Sequence, residues 1–404
     1  MTQFRYAATN LITGAVLADN IPLNVESFSQ QLNGGGTLTG ELNLDQNFGV
    51  NAPRLAAIQP VQSVLWVLAD NNPVWNGILY DWPDMSRASG TLPISAMTMD
   101  SILGHRIISA TLDYDSIDLF AAFADLITYA TTKDSAFIST VSPIQGPASP
   151  IIAAAAAIAG LVLPPASLVS GQTWQASYLW SDLTPVSSAI SDMVAIGLEY
   201  AFVPGIDDDG NLFTGIYLGV DTGLGRQAAE TGYTVAYPGN ASDYGYQVTG
   251  SQSANYLWAT APPNGSAEQW ESVYPHGVDV AALQAGFPLL EDTIAWQGST
   301  VTEQAQIDTF ADGQLTLRTQ AMTQPVINIP DGLQPALAAL VLGDVIPFAA
   351  TSPIHPPGPG GTPGLQSDVR LTGWTMYPAG PQQSAYMQLT TSQTLAMIDN
   401  GGGS

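Results

Sequence analysis

The chain has 404 residues and is strongly acidic, with 34 Asp and Glu against 8 Lys and Arg and a formal charge of -26. Such a charge repels phosphate groups, which argues against specific binding of nucleic acid or anionic membranes. Cysteine is absent from the sequence, which excludes disulfide bonds, thiolate catalysis and thiol-bound metals.

The hydrophobic content predicts a chain of several domains. Hydrophobic residues make up 46% of the sequence, enough to fill about two to four cores at this length. Charged residues are only 10%, well below the roughly 25% of ordinary soluble domains. The surface must therefore be mostly Ser, Thr, Asn, Gln and Gly, which suits assembly into larger structures. The N-terminus has no basic region followed by an apolar one, so no secretory signal is expected.

Residues 1–104 are expected to form an antiparallel β domain. Apolar and polar residues alternate with a period of two over residues 38–44. Turn-forming residues recur at 34–36 and 70–73, which places hairpins between the strands. A short helix is expected at residues 53–58, where it would close one end of this domain.

Residues 105–236 are expected to form a mixed α and β domain. One helix, opened by Asp115 or Ser116, carries an apolar stripe with a period near 3.6. The stripe consists of Ile117, Phe120, Phe123, Leu126, Ile127 and Ala130. The apolar run 151–163 is shorter than the about 20 residues that span a bilayer, so it predicts a buried Ala-rich helix.

A third helix is expected to start after Thr184, with Pro185 at its first position and Val186, Ile190, Met193 and Val194 buried. A hairpin follows, with strands at 199–203 and 212–220. Residues 207–211, Asp-Asp-Asp-Gly-Asn, resemble the start of a calcium loop. However, the positions that require Gly and Glu hold Leu212 and Leu218, so an ordinary hairpin turn is favoured.

The second half is expected to return to strands. A second β-barrel domain is predicted from residues 237–262 together with 325–400, with strands at 244–248 and 256–260. An α and β excursion is predicted at 263–324, with helices near 302–310 and 314–322. Residues 352–364 are rich in Pro and Gly and predict a mobile or extended arm.

The two ends of the chain carry similar β modules. Residues 64–68, 74–80 and 91–95 are matched by 343–348, 369–377 and 385–389. The predicted fold class is therefore α+β and mostly β, with two similar antiparallel β-barrels flanking a mixed middle. Three such chains could close a ring of six barrels.

Candidate catalytic residues are sparse. The histidines, His105, His276 and His355, lie in three different segments and lack the spacing of a zinc hydrolase. The acids Asp113, Asp115 and Asp118 could act as a carboxylate pair, but favourable interaction with a helix dipole explains them better. The glycine-rich residues 34–36 and 219–225 match no phosphate-binding motif. No catalytic, cofactor-binding or metal-binding residue is therefore predicted, no cofactor is expected, and the chain is not expected to be an enzyme.

Several short sequences, taken in order, resemble a known family. Residues 6–17, 21–23, 28–36, 74–78, 237–240 and 342–345 are similar to strings of the minor tail proteins of long-tailed actinobacteriophages, which resemble the baseplate hub family. The resemblance implies a multi-domain hub architecture, a homotrimer at the tail tip of the virion and a pseudo-hexameric ring that continues the tail tube. It also implies neighbouring tail proteins (a distal tail ring, a tape measure, a fibre or spike) and a genome that passes through without specific binding.

Other functions remain open at this point. Trp66, Trp75 and Trp82 could form a sugar platform, as in a cell-surface carbohydrate-binding protein, or they could fill a core. A cell-wall hydrolase with paired carboxylates is a further alternative. If the chain lines a tube, an acidic lumen would not hold the passing genome. Neighbouring tail proteins could dock on the arm at 352–364 or on the excursion.

Overall fold

The computed structural model describes residues 2–43, 58–82, 90–132, 154–220, 223–249, 254–261, 270–271, 279–296, 304–318, 322–380 and 384–393. Strands dominate this structure and helices are few, as the α+β, mostly β prediction requires.

The N-terminal part is antiparallel β structure, as the alternation of apolar residues predicts. Its strands are β1 (Phe4–Asn10), β2 (Val16–Ala18), β3 (Leu23–Gln31), β4 (Thr37–Asn43), β5 (Ser63–Ala69), β6 (Asn72–Asp81) and β7 (Thr91–Thr98). The turns were predicted correctly, since Gly34, Asp70 and Asn71 adopt positive φ between neighbouring strands. Of the helix predicted at 53–58, residues 53–57 lie outside the described residues, and Ile58 is buried and not helical.

The middle part mixes helices and strands. It contains β8 (Leu112–Asp118), α1 (Leu119–Thr132), β9 (Leu161–Val162), β10 (Thr173–Tyr178), α2 (Val186–Ala195), β11 (Leu198–Ile206), β12 (Leu212–Val220) and α3 (Ala228–Thr231). The predicted apolar stripe is buried on α1, except that Ile117 belongs to β8. Helix α2 starts one residue after Pro185, and the β11–β12 hairpin turns at 207–211 as predicted.

Two predictions for this part were wrong. Helix α1 does not begin at Asp115 or Ser116, because both belong to β8 and Asp118 instead bonds the first free amides of the helix. The run 151–163 is not one buried helix, although residues 151–153 lie outside the described residues. Of the described residues, 154–156 are helical and 157–160 are not, and β9 then pairs in parallel with β12. A short apolar run fits a strand as well as a helix, and here the available sheet edge decided between them.

The C-terminal part contains the second β module and the excursion. Its elements are β13 (Val235–Tyr237), β14 (Asp243–Thr249), β15 (Tyr256–Ala261), β16 (Trp270–Glu271), α4 (Val280–Gln284), β17 (Glu291–Ala295), α5 (Gln304–Arg318), β18 (Met322–Pro330), β19 (Val345–Ala350), β20 (Leu365–Tyr377) and β21 (Tyr386–Gln393). Three predictions change here. Strand β15 pairs with β16 and β17 rather than with the main sheet, a single helix α5 replaces the two predicted helices, and Met322 begins a strand.

The N-terminal and C-terminal modules have the same strand order. The N-terminal strands pair in the order β3-β4-β7-β6-β5-β1, and the C-terminal strands pair in the order β14-β18-β21-β20-β19-β13. Strands at the same position in these two orders correspond to one another, so that β3 corresponds to β14 and β6 corresponds to β20. Corresponding neighbours are antiparallel in both modules, except that β13 and β19 are parallel whereas β1 and β5 are antiparallel. The repetition inferred from the short sequence strings is therefore present in the topology.

Two hydrophobic cores hold these elements together. One core packs α1, α2, the β11–β12 hairpin and α5 against the outer side of β5 and β6. The other core lies between the strands of the two modules and includes Phe28, Trp75, Trp374 and Leu389. Strand β5 is buried along its whole length, because its alternate side chains enter different cores.

Candidate functional site

The two modules meet at one joint, where β20 pairs with β3. The opposed residues are Gly373 and Gln31, Trp374 and Gln30, Thr375 and Ser29, and Met376 and Phe28. Phe28 contacts Trp374 edge to face, with 5.7 Å between ring centroids. Trp75 donates a 2.7 Å hydrogen bond from Nε1 to the carbonyl oxygen of Ser29. The joint is therefore built into the core and makes one continuous sheet of both modules.

A buried ion pair connects the β11–β12 hairpin to β20. Nη1 and Nη2 of Arg370 donate hydrogen bonds of 2.6 and 2.7 Å to the two carboxylate oxygens of Glu199. Leu224 completes the group, since its amide donates to Glu199 at 3.1 Å and its carbonyl accepts from Arg370 at 3.0 Å. A buried charge pair is tolerated when its partners are also hydrogen-bonded. Here Glu199 and both terminal nitrogens of Arg370 have such bonds, whereas Nε of Arg370 is buried without a partner among the described groups.

A second ionic cluster is centred on Asp344, whose side chain is fully buried. Its carboxylate accepts hydrogen bonds from the amide, Nε and Nη2 of Arg226, from the hydroxyl of Tyr233 and from the amide of Val341. Burial, followed by the charge of Asp344, raises the pKa of Tyr233. These donors occupy the oxygens of Asp344, so the cluster is structural.

One face of the continuous sheet is polar and uncharged along most of its width. Residues that lie directly opposite one another on neighbouring strands form a row across this face. On one side of β3 the row consists of Ser95, Thr39 and Ser27. On the other side it consists of Ser29, Thr375, Gln388, Asn328 and Asp243. We call these eight residues the polar face. Neighbours bond to one another, as Ser27 to Thr39 at 3.2 Å and Gln388 Nε2 to Asn328 Oδ1 at 3.1 Å. The row crosses seven strands and both modules.

The polar face carries little charge. Asp243 is its one charged member, and no Lys or Arg belongs to it. Two further acids border it on the same side of the sheet: Asp81 lies opposite Ser95, and Glu41 lies two residues from Thr39 on β4. The four arginines whose side chains the structure describes lie elsewhere, each with a hydrogen-bond partner. These partners are Asp19 for Arg5, the carbonyl of Ala156 for Arg106, Asp344 for Arg226 and Glu199 for Arg370. The eight residues of the polar face therefore present mainly hydroxyl and amide groups.

The histidines occupy separate places. His105 ends a 3-10 turn and stacks on Tyr80, with 5.6 Å between ring centroids, whereas His276 lies outside the described residues. His355 lies 2.8 Å through Nδ1 from the hydroxyl of Tyr244, which is also 2.7 Å from Oγ of Ser352. The arm predicted at 352–364 therefore folds back onto β14.

The acids considered as a catalytic pair have structural partners. Asp118 accepts hydrogen bonds from the amides of Phe120 and Ala121 at the start of α1, and from the amide and hydroxyl of Ser170. Burial alone would raise the pKa of Asp118, but these hydrogen bonds outweigh it and lower the pKa. Asp113 accepts a hydrogen bond from Ser177. The predicted calcium-like residue Asp207 accepts from Asp209 and Asn211 within the hairpin turn.

The tryptophans proposed as a sugar platform do not form one. Trp66 and Trp75 are 4% and 1% exposed and belong to different cores. Trp82 is half-buried and packs against the same core as Trp75. These rings fill the interior, which was the alternative considered from the sequence.

A cavity of about 340 Å³ lies between α2, β17 and α5. Trp296, Phe310 and Ile294 form much of its wall, and Asp192 is its one ionisable lining residue. Burial raises the pKa of Asp192 to about 7. A glycosidase centre needs two carboxylates, and this lining provides one.

Across the described ranges, no group of three or more His, Asp or Glu side chains could hold a metal ion. In the same part of the chain, none of the helices is both long enough and apolar enough to cross a membrane.

Solved structures share this fold. No protein-family model matches the chain, and no curated protein matches it. A tail protein from Neisseria meningitidis MC58 matches with a TM-score of 0.53 and 12% identity over 96% of both chains. The 43 kDa tail protein of prophage MuSo2 from Shewanella oneidensis matches with a TM-score of 0.51 and 11% identity, over 97% of this chain and 98% of that one.

A third structure, the prophage tail protein gp18 from Listeria monocytogenes EGD-e, has a TM-score of 0.50 and 10% identity, over 98% of this chain and 96% of that one. At such identities the comparison establishes the fold and not the function. The chain has the fold of phage tail proteins along nearly its whole length.

Proposed function

We propose that this chain is a structural protein of the phage virion, a baseplate hub at the tail tip of a siphovirus of actinobacteria. Three copies form a ring with approximate sixfold symmetry that continues the tail tube. The repeated strand order of the two modules carries this proposal, because two equivalent units per chain give six in a trimer. The fold shared with tail proteins over 96–98% of the chain supports it.

The proposal includes a division of the chain into domains. Residues 1–104 form a first barrel, 105–236 the middle domain, and 237–262 with 325–400 the second barrel, with 263–324 inserted. Strand β15 is the exception, since it pairs with β17 of the insertion. The joint between β20 and β3 keeps the two barrels side by side, as neighbouring units of a ring require.

The polar face suits the lining of a tube through which DNA passes. Binding to the DNA backbone depends on Lys and Arg that replace counterions around the phosphates. The polar face carries Ser, Thr, Gln and Asn together with Asp243, so it supplies no such attraction. Its side chains are nevertheless polar enough to keep a wide channel hydrated. The genome would therefore pass without being held.

Contacts with neighbouring tail proteins are assigned to the outside of the ring. The excursion exposes apolar side chains, among them Phe287 at 62% and Leu289 at 54% exposure. Exposed apolar groups of this kind often mark protein interfaces. We assign this region to the distal tail ring, the tape measure or a fibre or spike protein. No catalytic role is assigned to any residue.

Native mass spectrometry of the purified chain tests the assembly, and the expected mass is that of three copies. Cryo-electron microscopy of intact virions tests the location, and six similar lobes should surround the tail axis at its tip. A chain that stays monomeric at high concentration and is absent from purified tails would contradict the proposal.

A further inference from the structure

We propose that the open edge of β14 is completed by the end of β6 from a second copy of this chain, which repeats the joint between β3 and β20. This inference rests on the proposed function only for the number of copies in the ring. The surface itself follows from the equivalence of the two modules. In the strand order, β3 corresponds to β14 and β20 corresponds to β6.

The correspondence can be fixed residue by residue, because both long strands contain an irregularity. The pairing of β6 with β7 shifts between Leu79 and Asp81, and the pairing of β20 with β21 shifts between Leu371 and Gly373. When these two bulges are superposed, Asp81 corresponds to Gly373. Trp82 then corresponds to Trp374, so a tryptophan follows the bulge in both modules.

A different pair of strands checks this alignment. With the bulges superposed, Ile78 corresponds to Arg370, and these residues lie opposite Val64 and Val345 respectively. Val64 lies at the start of β5 and Val345 at the start of β19, so the neighbouring strands come into register without further adjustment. The alignment of β6 with β20 is therefore consistent with the pairing of the neighbouring strands on both sides, β7 and β21 on one side and β5 and β19 on the other.

The same procedure aligns β14 with β3. Ser95 and Thr39 of the first module correspond to Thr390 and Val326 of the second. Ser27 lies opposite Thr39, and Gly245 lies opposite Val326, so Ser27 corresponds to Gly245. Counting along the strands, Gln30 corresponds to Val248 and Gln31 corresponds to Thr249.

These correspondences predict the contact between two copies. Within one chain Gly373 lies opposite Gln31 and Trp374 lies opposite Gln30. The equivalent pairs are Asp81 with Thr249 of a second copy, and Trp82 with Val248 of a second copy.

Both partners of this contact are free within the described residues. Strand β14 pairs only with β18, so one edge of its seven residues has no neighbouring strand. Asp81 pairs with Ser95 on one side and with no described strand on the other. Nε1 of Trp82 is buried and has no hydrogen-bond partner among the described groups. An open strand edge offers its amides and carbonyls to another chain.

The contact uses two different surfaces, β14 on one copy and β6 on the next. Such a head-to-tail contact closes into a ring when its rotation permits, whereas a twofold contact stops at a dimer. Because the same joint would alternate within and between chains, the polar face would continue from copy to copy.

Engineered cysteines test the contact. Because the chain has no cysteine of its own, every disulfide that forms must join the introduced residues. The double variant Asp81→Cys/Thr249→Cys should form disulfide-linked oligomers under mild oxidation, since directly opposed strand residues have a suitable Cα separation. Asp81→Cys chains alone and Thr249→Cys chains alone should stay unlinked, and their mixture should give a linked dimer. The control Ser29→Cys/Thr375→Cys carries its pair at the existing joint and should link within one chain.

Hydrogen exchange of the unsubstituted chain provides a second measurement. The outward amides of β14 should exchange about tenfold or more slowly in the assembled form than in a diluted monomer. Native mass spectrometry on the same samples separates the two proposals. Trimers without the 81–249 crosslink and without protection of β14 would overturn this contact and leave the ring intact.

Crosslinked chains that extend beyond three copies would support the contact and overturn the trimeric ring. Asp81→Cys chains that link to each other would indicate a twofold contact and would overturn this inference. Monomers that show neither crosslinks nor protection would overturn both proposals.

Discussion

Replacement of Arg370 with methionine should destabilise the chain strongly, because Arg370 neutralises Glu199 in the interior. The side chains of Arg370 and Glu199 are only 7% and 9% exposed. Arg370→Met removes both hydrogen bonds to Glu199 and the bond to the carbonyl of Leu224. Among the described groups, the amide of Leu224 is then the remaining donor to the carboxylate. Loss of one partner of a buried pair typically costs about 3–5 kcal/mol of unfolding free energy.

Two control variants separate the buried charge from the lost side chain. The double variant Glu199→Gln/Arg370→Met leaves no buried charge, so it should recover about half of the loss. Arg5→Met breaks the ion pair with Asp19, whose side chains are 38% and 58% exposed, and should cost at most about 1 kcal/mol.

Urea unfolding followed by tryptophan fluorescence measures these differences as shifts of the midpoint at unchanged slope. Hydrogen exchange at the amide of Leu224 reports the same loss locally, since this amide bonds to Glu199. Equal and small losses for Arg370→Met and Arg5→Met would refute the argument that the Glu199 pair is a buried connection between the hairpin and β20.

Three further predictions follow from the structure. Asp118→Ala should cost about 1–2 kcal/mol of unfolding free energy, because it removes the cap of α1 and the bonds to Ser170; urea unfolding checks this. Burial raises the pKa of Asp192 to about 7, so the folded state retains a proton that the unfolded state has already lost. The unfolding free energy should therefore fall as the pH rises from about 4 to about 7, and Asp192→Asn should remove this slope in unfolding measured across that range. Ser29→Lys places a cation on the polar face and should slow genome ejection from reconstituted phage, whereas Ala121→Lys on the exposed side of α1 should leave the ejection rate unchanged.

Short-range patterns predicted much of the local structure. The Asp-Gly-Asn turn at 207–211 fixed the β11–β12 hairpin, because its turn chemistry acts within a few residues. The apolar stripe likewise predicted the buried face of α1. Errors occurred where local patterns were ambiguous, as in the helix expected over 151–163. The helix was expected to open at Asp115 or Ser116, but β8 continues through this acidic segment, so α1 begins at Leu119 and Asp118 caps it.

The polar face and the buried ion pairs were not predicted. The alternation of Ser27, Ser29 and Gln31 was visible in the sequence, and it correctly indicates that one side of β3 is polar. The pattern does not indicate which strands extend that side. Glu199 and Arg370 lie in two ordinary strands, and nothing in either segment predicts that they meet.

The sequence alone determined the composition of the surface, the similarity of the two ends and most of the hairpins, since each depends on residues close together in the chain. The tertiary structure decided which remote strands pair. It placed β20 beside β3, moved β15 into the sheet of the excursion and brought Glu199 to Arg370. Strand pairing between distant segments depends on how all side chains fill the cores at once, so no single stretch of sequence contains it.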